Sequence, residues 1–243
     1  MENQIPEIKS LYEKFIKSEK YQLDKEKSEW EGLSIEFKNF WENKILNGSK
    51  DDLDNKEIDK IVGILDSKGK GNNPNSPSVA NTMIRQSTWR EMFQGIKSND
   101  DLKLLLDSIF KEQNEIRLIK LIDDLYEKNK NIKIESLTNK NGVAINDFLF
   151  IYDPNHYISV VSLEKRKKII ESFGFKNGPD FDKDSFGEKI VASNKAILEG
   201  FKEILGDLEF TPRSISDFLY SEPIKSKWDQ NTENKQHGKK KFF

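Results

Sequence analysis

The sequence predicts a mainly α-helical fold, in which a multi-helix N-terminal region precedes a helical C-terminal region. Apolar residues recur at spacings of three and four along successive segments, which is the period of an amphipathic helix. Charged residues make up 34% of the 243 positions and apolar residues 35%, so most helices should bury one stripe and expose a wide solvated face. Sixteen Phe and four Trp supply large side chains for a core.

Residues 1–66 are predicted to form the N-terminal helical region, because three apolar stripes follow one another there. The stripes are Ile8, Leu11, Tyr12, Phe15 and Ile16; Trp30, Leu33, Phe37, Phe40, Trp41 and Ile45; and Ile58, Ile61, Val62 and Leu65. Residues 67–78, SKGKGNNPNSPS, are rich in Gly, Pro, Asn and Ser. Such a composition is typical of a loop or linker, so we expect one here.

Residues 79–224 are predicted to form a second helical domain. Its first helix should span Val79–Ile96, and two further stripes follow it. These consist of Leu102, Leu105, Leu106, Ile109 and Phe110, and then of Ile116, Ile119, Ile122 and Tyr126. Further along, Ser162 and Gly174 are a good start and stop for a helix over Leu163–Phe173.

Two more helices are predicted at Ser185–Leu205 and around Ile215–Tyr220. From Lys225 onwards the apolar period is lost, and residues 225–243 are polar and lysine-rich. We expect this tail to be disordered.

The stretch from Asn129 to Tyr152 allows two interpretations. Ile132 and Ile134 alternate with lysines and Asn141-Gly142 is a turn signal, which favours a short β-hairpin near residues 132–150. Alternatively, Thr138–Gly142 is a tight turn between two helices, the second of which spans Val143–Tyr152. Asp153-Pro154 would end that helix, because a residue before proline is disfavoured in the α conformation.

Composition excludes several kinds of chemistry. The chain contains no cysteine, so it has no disulfide, no thiolate nucleophile and no Cys-ligated zinc. Only two histidines, His156 and His237, are present, and they are too far apart in sequence to suggest a shared metal site. No run of 18 apolar residues occurs and no apolar signal segment follows Met1. We therefore expect a cytoplasmic protein without membrane contact, catalytic residues, metal or cofactor.

Two short motifs resemble catalytic signatures but lack the required context. The Gly-rich piece at residues 68–71 is not followed by the Lys-Ser/Thr that opens a helix in a phosphate-binding loop. Pro179-Asp180 and Glu233-Asn234-Lys235 match a nuclease pattern, but residues 231–236 have no strand character that would direct Glu and Lys to a metal. A metal-dependent nuclease is therefore the least favoured function. His156 is predicted to be a surface or half-buried residue near a helix end.

One basic cluster, Lys165-Arg166-Lys167-Lys168, lies on the predicted helix after Ser162. Cations on a helix face can contact phosphates, and each contact adds salt-dependent affinity. An ordinary solvated helix face explains the same run of charges. The net charge of the whole chain is −2, so any attraction to nucleic acid must be local.

The order of elements from Leu137 to Tyr220 resembles a helical segment in the N-terminal regions of McrB-like restriction proteins and related AAA-family ATPases. The elements are a turn with Gly142, an apolar helix, Pro154-Asn155-His156-Tyr157, a helix ending in Phe173-Gly174, a long amphipathic helix and Ser216-Asp217-Phe218-Leu219-Tyr220. The turn and its flanking helices resemble the helix-hairpin-helix elements of DNA glycosylases. Weaker similarity extends to Trp89–Phe93. This chain departs from the family in having only one hairpin glycine, and no Walker A motif follows residue 220.

The resemblance implies a non-catalytic DNA-binding or target-recognition module of a McrB-type, phage-defence restriction system. Its DNA contacts would be Asn139, Lys140, Asn141 and Gly142 in the turn, and Lys165, Arg166, Lys167 and Lys168 on the helix. A separate AAA-type NTPase and a nuclease subunit would be its partners. The alternative function is a protein-interaction scaffold for such a partner. Trp89 is expected in the core rather than in a stacking role.

Overall fold

The computed structural model describes residues 5–19, 21–22, 30–49, 53–66, 80–222 and 224–229. In chain order the helices are α1 (Ile5–Ile16), α2 (Trp30–Phe40), a π-helix (Trp41–Leu46), α3 (Asn55–Leu65), α4 (Gln86–Lys97), α5 (Asp100–Lys111), α6 (Glu115–Ile132), α7 (Val143–Tyr152), α8 (Leu163–Phe173), α9 (Phe186–Leu205), α10 (Pro212–Tyr220) and α11 (Ile224–Trp228). Within these residues no strand is present, and one isolated bridge joins Asp66 to Ala80. The predicted mainly α-helical class is confirmed.

The alternative of a β-hairpin near residues 132–150 is wrong. Asn129, in the last turn of α6, donates from Nδ2 to the carbonyl of Ile134 and accepts from its amide, at 3.1 and 2.9 Å. The same Nδ2 donates to Thr138 Oγ1 at 2.9 Å. These bonds satisfy backbone groups of Ile134 that a partner strand would need. The chain therefore turns, and α7 follows with the predicted bounds Val143–Tyr152.

Helix α4 begins at Gln86, later than the predicted start at Val79. The buried carboxylate of Asp66 accepts hydrogen bonds from the amide and the hydroxyl of Thr82, which holds the chain extended beside the end of α3. Met83 then adopts a left-handed conformation with φ 60°, which interrupts any helix. The apolar spacing of the sequence favours a helix across these residues, but the side-chain hydrogen bonds of Asp66 determine the local structure.

The apolar side chains form two clusters. Core one contains buried residues of α2, the π-helix, α3 to α7 and the first half of α9. Core two contains α1, most of α8, the second half of α9, α10 and α11. Helices before and after residues 67–78 thus share core one, whereas α1 packs against the C-terminal helices. The predicted linker at 67–78 lies outside the described residues.

The predicted disordered tail at 225–243 needs a correction at its beginning. Ile224–Trp228 forms α11, and Trp228 is buried in core two with its indole Nε1 donating to the carbonyl of Leu219 at 2.8 Å. A single large aromatic, rather than a periodic stripe, anchors this segment. Residues 230–243 lie outside the described part of the chain. No helix in that part is long and apolar enough to cross a membrane.

Two glycines let α9 pack closely against its neighbours. A Cβ added at Gly187 would lie 2.3 Å from the backbone oxygen of Ile119 in α6. One added at Gly200 would lie 2.1 Å from the ring of Phe175. Both contacts are shorter than any real Cβ contact, so each neighbour approaches α9 only because the side chain is absent.

We expect Gly187→Ala to destabilise the fold by about 2 kcal/mol or more, because the backbone of α6 would have to move. Urea denaturation followed by circular dichroism measures this change. Gly95→Ala in α4 is the matched control, since its new Cβ would meet only the flexible side chain of Ile134, at 3.0 Å. Equal destabilisation by both substitutions would contradict the close-packing account.

Candidate nucleic-acid interface

The turn at Asn139–Gly142 forms the start of α7. The amide of Gly142 donates to the carbonyl of Asn139 at 2.9 Å, and the amide of Asn141 donates to Asn139 Oδ1 at 3.1 Å. Gly142 has φ +62°, a conformation that glycine adopts without strain. No side chain caps the amino end of α7. The turn therefore resembles the predicted tight turn between helices, with the exposed Lys140 near its apex.

The structure brings this turn together with the basic helix α8. The amide of Leu163, the first residue of α8, donates to the carbonyl of Asn141 at 2.9 Å. A Cβ added at Gly142 would lie 3.3 Å from the side chain of Leu163, so the two segments touch. The two predicted contact segments, 139–142 and 165–168, thus belong to one surface.

The three lysines of α8 are partly exposed and each has a different neighbour. Lys165 Nζ lies 3.4 Å from the hydroxyl of Tyr220 and 5.3 Å from the centre of its ring. Lys168 Nζ pairs with Glu164 Oε1 at 2.9 Å. Lys167 Nζ lies 4.0 Å from Glu171 and 4.0 Å from Asp182, which is the limit of an ion pair.

Glu164 is a member of this surface that the sequence prediction omitted. Its pKa is lowered from the ordinary value chiefly by the hydrogen bond and charge of Lys168, and also by the charges of Lys140 and Lys165. One exposed carboxylate is therefore influenced by lysines from both the turn and α8. Glu164 and Lys168 are four residues apart on a helix, a spacing that predicts such a pair.

Arg166 differs from its three neighbours because its side chain is buried. Nε donates to the carbonyl of Val160 at 2.6 Å, and Nη1 donates to the carbonyl of Ile190 at 3.0 Å and to Ser193 Oγ at 3.3 Å. Burial lowers the pKa of Arg166 to about 9, so the guanidinium keeps its charge at neutral pH. Arg166 was one of the eight predicted DNA contacts, but its side chain is buried. Its hydrogen bonds tie α8 to α9 instead.

We expect Arg166→Met to destabilise the protein by about 2 kcal/mol or more, because the Val160 carbonyl would lose the Arg166 donor and the Ile190 carbonyl would keep only its other donors, such as Ser193 Oγ. Thermal and urea denaturation measure the loss. Lys167→Met, one position along on the partly exposed face, is the control and should change stability by about 0.5 kcal/mol or less. If Arg166→Met behaved like the control, Arg166 would not hold α8 on α9.

His156 and Asp180, the other described candidates for chemistry, each make local contacts. His156 is exposed just after α7 and its Nδ1 lies 2.7 Å from Asp153 Oδ2, as expected for a surface residue near a helix end. Asp180 accepts hydrogen bonds from the amides of Asp182 and Lys183, which occupies its carboxylate in a local turn. Residues 68–71 and 233–235, like His237, lie outside the described part. Within that part, no three His, Cys, Asp or Glu side chains converge to hold a metal ion.

Trp89 and Arg90 both have structural neighbours. Trp89 is fully buried in core one, which confirms the predicted core role, and its ring centre lies 5.6 Å from that of Phe148. Arg90 makes a two-pronged contact with Asp59 on α3, at 2.7 and 2.5 Å. Neither side chain belongs to the surface formed by the turn and α8.

A cleft of about 990 Å³ opens near the amino end of α10, between α1, the start of α2 and the residues after α7. Among its described lining residues, Lys17 and Arg213 are balanced by Glu31 and Glu209. Arg213 also lies over the ring of Trp30, at 4.4 Å from its centre. The cleft has no excess of positive charge, so it should attract a polyanion less strongly than the lysines of α8 do.

Asp147 is a buried acid on α7 without a hydrogen-bond partner on either side-chain oxygen. Burial raises its pKa well above the usual range, and the negative charge of Asp66 raises it further. Burial therefore favours the protonated, neutral form of this side chain. A neutral acid in core one costs less than a charged one but still leaves polar atoms unsatisfied.

This raised pKa makes the stability depend on pH. The folded chain holds the proton of Asp147 more tightly than the unfolded chain, whose pKa is about 3.9. The contribution of Asp147 is therefore complete below about pH 4 and is lost as the pH rises towards its folded pKa. We expect Asp147→Asn to gain stability relative to the native chain as the pH rises from 4 to 7, and to flatten this dependence.

Urea denaturation at several pH values between 4 and 8 measures the effect. Asp182→Asn is the control, because the Asp182 side chain is 86% exposed and its removal should leave the pH dependence unchanged. Parallel pH profiles for the native chain and Asp147→Asn would show that Asp147 ionises normally.

No family model matches this chain, and neither a curated protein nor a solved structure matches it.

Proposed function

We propose that this protein binds DNA without cleaving it, through the surface formed by Asn139–Gly142 and α8. The observation that supports this most directly is the hydrogen bond between the Leu163 amide and the Asn141 carbonyl, at 2.9 Å. It holds the exposed Lys140 beside a helix whose partly exposed residues include Lys165, Lys167 and Lys168. Lysines of two segments far apart in sequence can then contact one phosphate backbone.

The chemistry of such contacts is sequence-independent. Each lysine that neutralises a phosphate releases bound counterions, so affinity falls as salt rises. Gly142 and the first residues of α7 are buried, so the lysine side chains rather than backbone amides would supply these contacts. These contacts would position the protein on DNA, whereas base recognition would need further side chains.

The proposed cellular role is that of a recognition module in a McrB-type restriction system, working with a separate NTPase and nuclease. Support for this finer proposal comes from the order of elements between residues 137 and 220. The turn is followed by the apolar helix α7, by α8 ending at Phe173-Gly174, by the long α9 and by α10. This order resembles that of the family's segment.

Fluorescence anisotropy of a labelled 20-base-pair duplex, titrated at several salt concentrations, tests DNA binding. We expect the logarithm of the association constant to fall linearly with the logarithm of salt concentration. The combined substitution Lys140→Ala, Lys165→Ala and Lys168→Ala should reduce the magnitude of that slope by about 2 to 3, because each phosphate contact contributes about 0.9.

The matched control replaces three exposed lysines on other helices, Lys56, Lys120 and Lys202, by alanine. It changes the net charge by the same amount, so a general charge effect would lower the slope equally in both triple variants. Equal slopes for the two variants, or no binding by the native chain at low salt, would overturn the proposed interface.

A further inference from the structure

One acidic side chain lies among the lysines of the proposed interface. Glu164 Oε1 is 2.9 Å from Lys168 Nζ, and the charges of Lys140 and Lys165 also act on the Glu164 carboxylate. Lys140 comes from the turn before α7, whereas Lys165 and Lys168 come from α8. Lys168 therefore pairs directly with Glu164, and the charges of two further lysines, one from each segment, act on the same carboxylate.

Packing does not explain the presence of this carboxylate. Glu164 is 62% exposed, and an exposed pair spaced four residues apart on a helix adds little to stability. Its removal should leave α8 in place, because Leu163, Arg166 and Ile169 hold the helix through buried contacts. The carboxylate complements the positive end of the α8 dipole from the first turn, and it also acts on the electrostatics of the lysines.

A carboxylate and a phosphodiester present the same chemistry to a lysine, namely anionic oxygens that accept charge-assisted hydrogen bonds. We infer that Glu164 is a built-in competitor of the nucleic-acid backbone: it occupies the lysine cluster in the free protein and weakens phosphate binding there. This inference rests on the proposed function, and it assigns the phosphate site to Lys140, Lys165 and Lys168 specifically. DNA binding would require the phosphate to displace the Glu164 carboxylate from Lys168.

Glu164→Gln should therefore strengthen DNA binding, in contrast to most substitutions in a binding surface. Removal of one negative charge about 5 Å from a bound phosphate in water should tighten binding roughly three- to fivefold. The measurement is the anisotropy titration of a duplex at 0.1 M salt, with thermal denaturation to establish that the variant is folded.

Glu171→Gln is the matched control on the same helix. Glu171 also faces a lysine, at 4.0 Å from Lys167, but it lies two turns further along α8, about 10 Å away along the helix axis. Salt screens most of an exposed charge over such a distance. This variant should bind DNA within about twofold of the native chain.

The outcomes separate the inference from the proposed function. Tighter binding by Glu164→Gln but not by Glu171→Gln supports the competitor role. If the native chain binds with the expected salt dependence and Glu164→Gln binds equally or more weakly, the competitor role is wrong while the interface stands. If neither the native chain nor Glu164→Gln binds DNA at low salt, the proposed function itself fails, and with it the inference.

Discussion

The buried guanidinium of Arg166 is the contact on which the arrangement of the C-terminal half depends. It joins the segment before α8, through Val160, to α9, through Ile190 and Ser193. These two residues of α9 lie where the helix passes from core one to core two. The hydrogen-bonded partners of Arg166 are carbonyl and hydroxyl oxygens rather than a carboxylate, so dipoles compensate its charge. Loss of these partners would leave the buried guanidinium without compensation. Arg166 thereby fixes the rotation of α8 about its own axis.

That rotation determines which charges face the solvent. With Arg166 directed inward, its neighbours Lys165 and Lys167 are directed towards the surface, and Lys168 lies one helical turn after Glu164. The bond between Leu163 and Asn141 then adds Lys140 from the turn. A buried cation and an exposed group of cations are thus two consequences of one helix packing. The same packing explains why a chain with a net charge of −2 can still present a local group of lysines at its surface.

Periodicity predicted the helical class and several helix bounds, because amphipathic stripes report directly on which face is buried. The bounds of α7 and α8 agree with the prediction to the residue. Side-chain hydrogen bonds to the backbone were not predictable in this way: Asn129 excludes the hairpin, and Asp66 delays the start of α4. The inward position of Arg166 had a signal in the sequence, since it falls three residues after Leu163 and three before Ile169, on the apolar stripe. A run of four basic residues masks that signal. Trp228 shows a similar limit, because it lies outside any periodic stripe. The pair of Glu164 and Lys168, by contrast, has a spacing of four residues that the sequence shows.

The proposed contact with the DNA backbone is one surface, made by the 139–142 turn and α8. Nuclear magnetic resonance of the ¹⁵N-labelled protein, titrated with a short duplex at low salt, tests it residue by residue. We expect the largest amide shifts at residues 139–143 and 163–168, with α3 and the cleft-lining Phe210 and Thr211 unaffected. Shifts concentrated at the cleft or on α3, with the turn and α8 unchanged at saturating DNA, would contradict it.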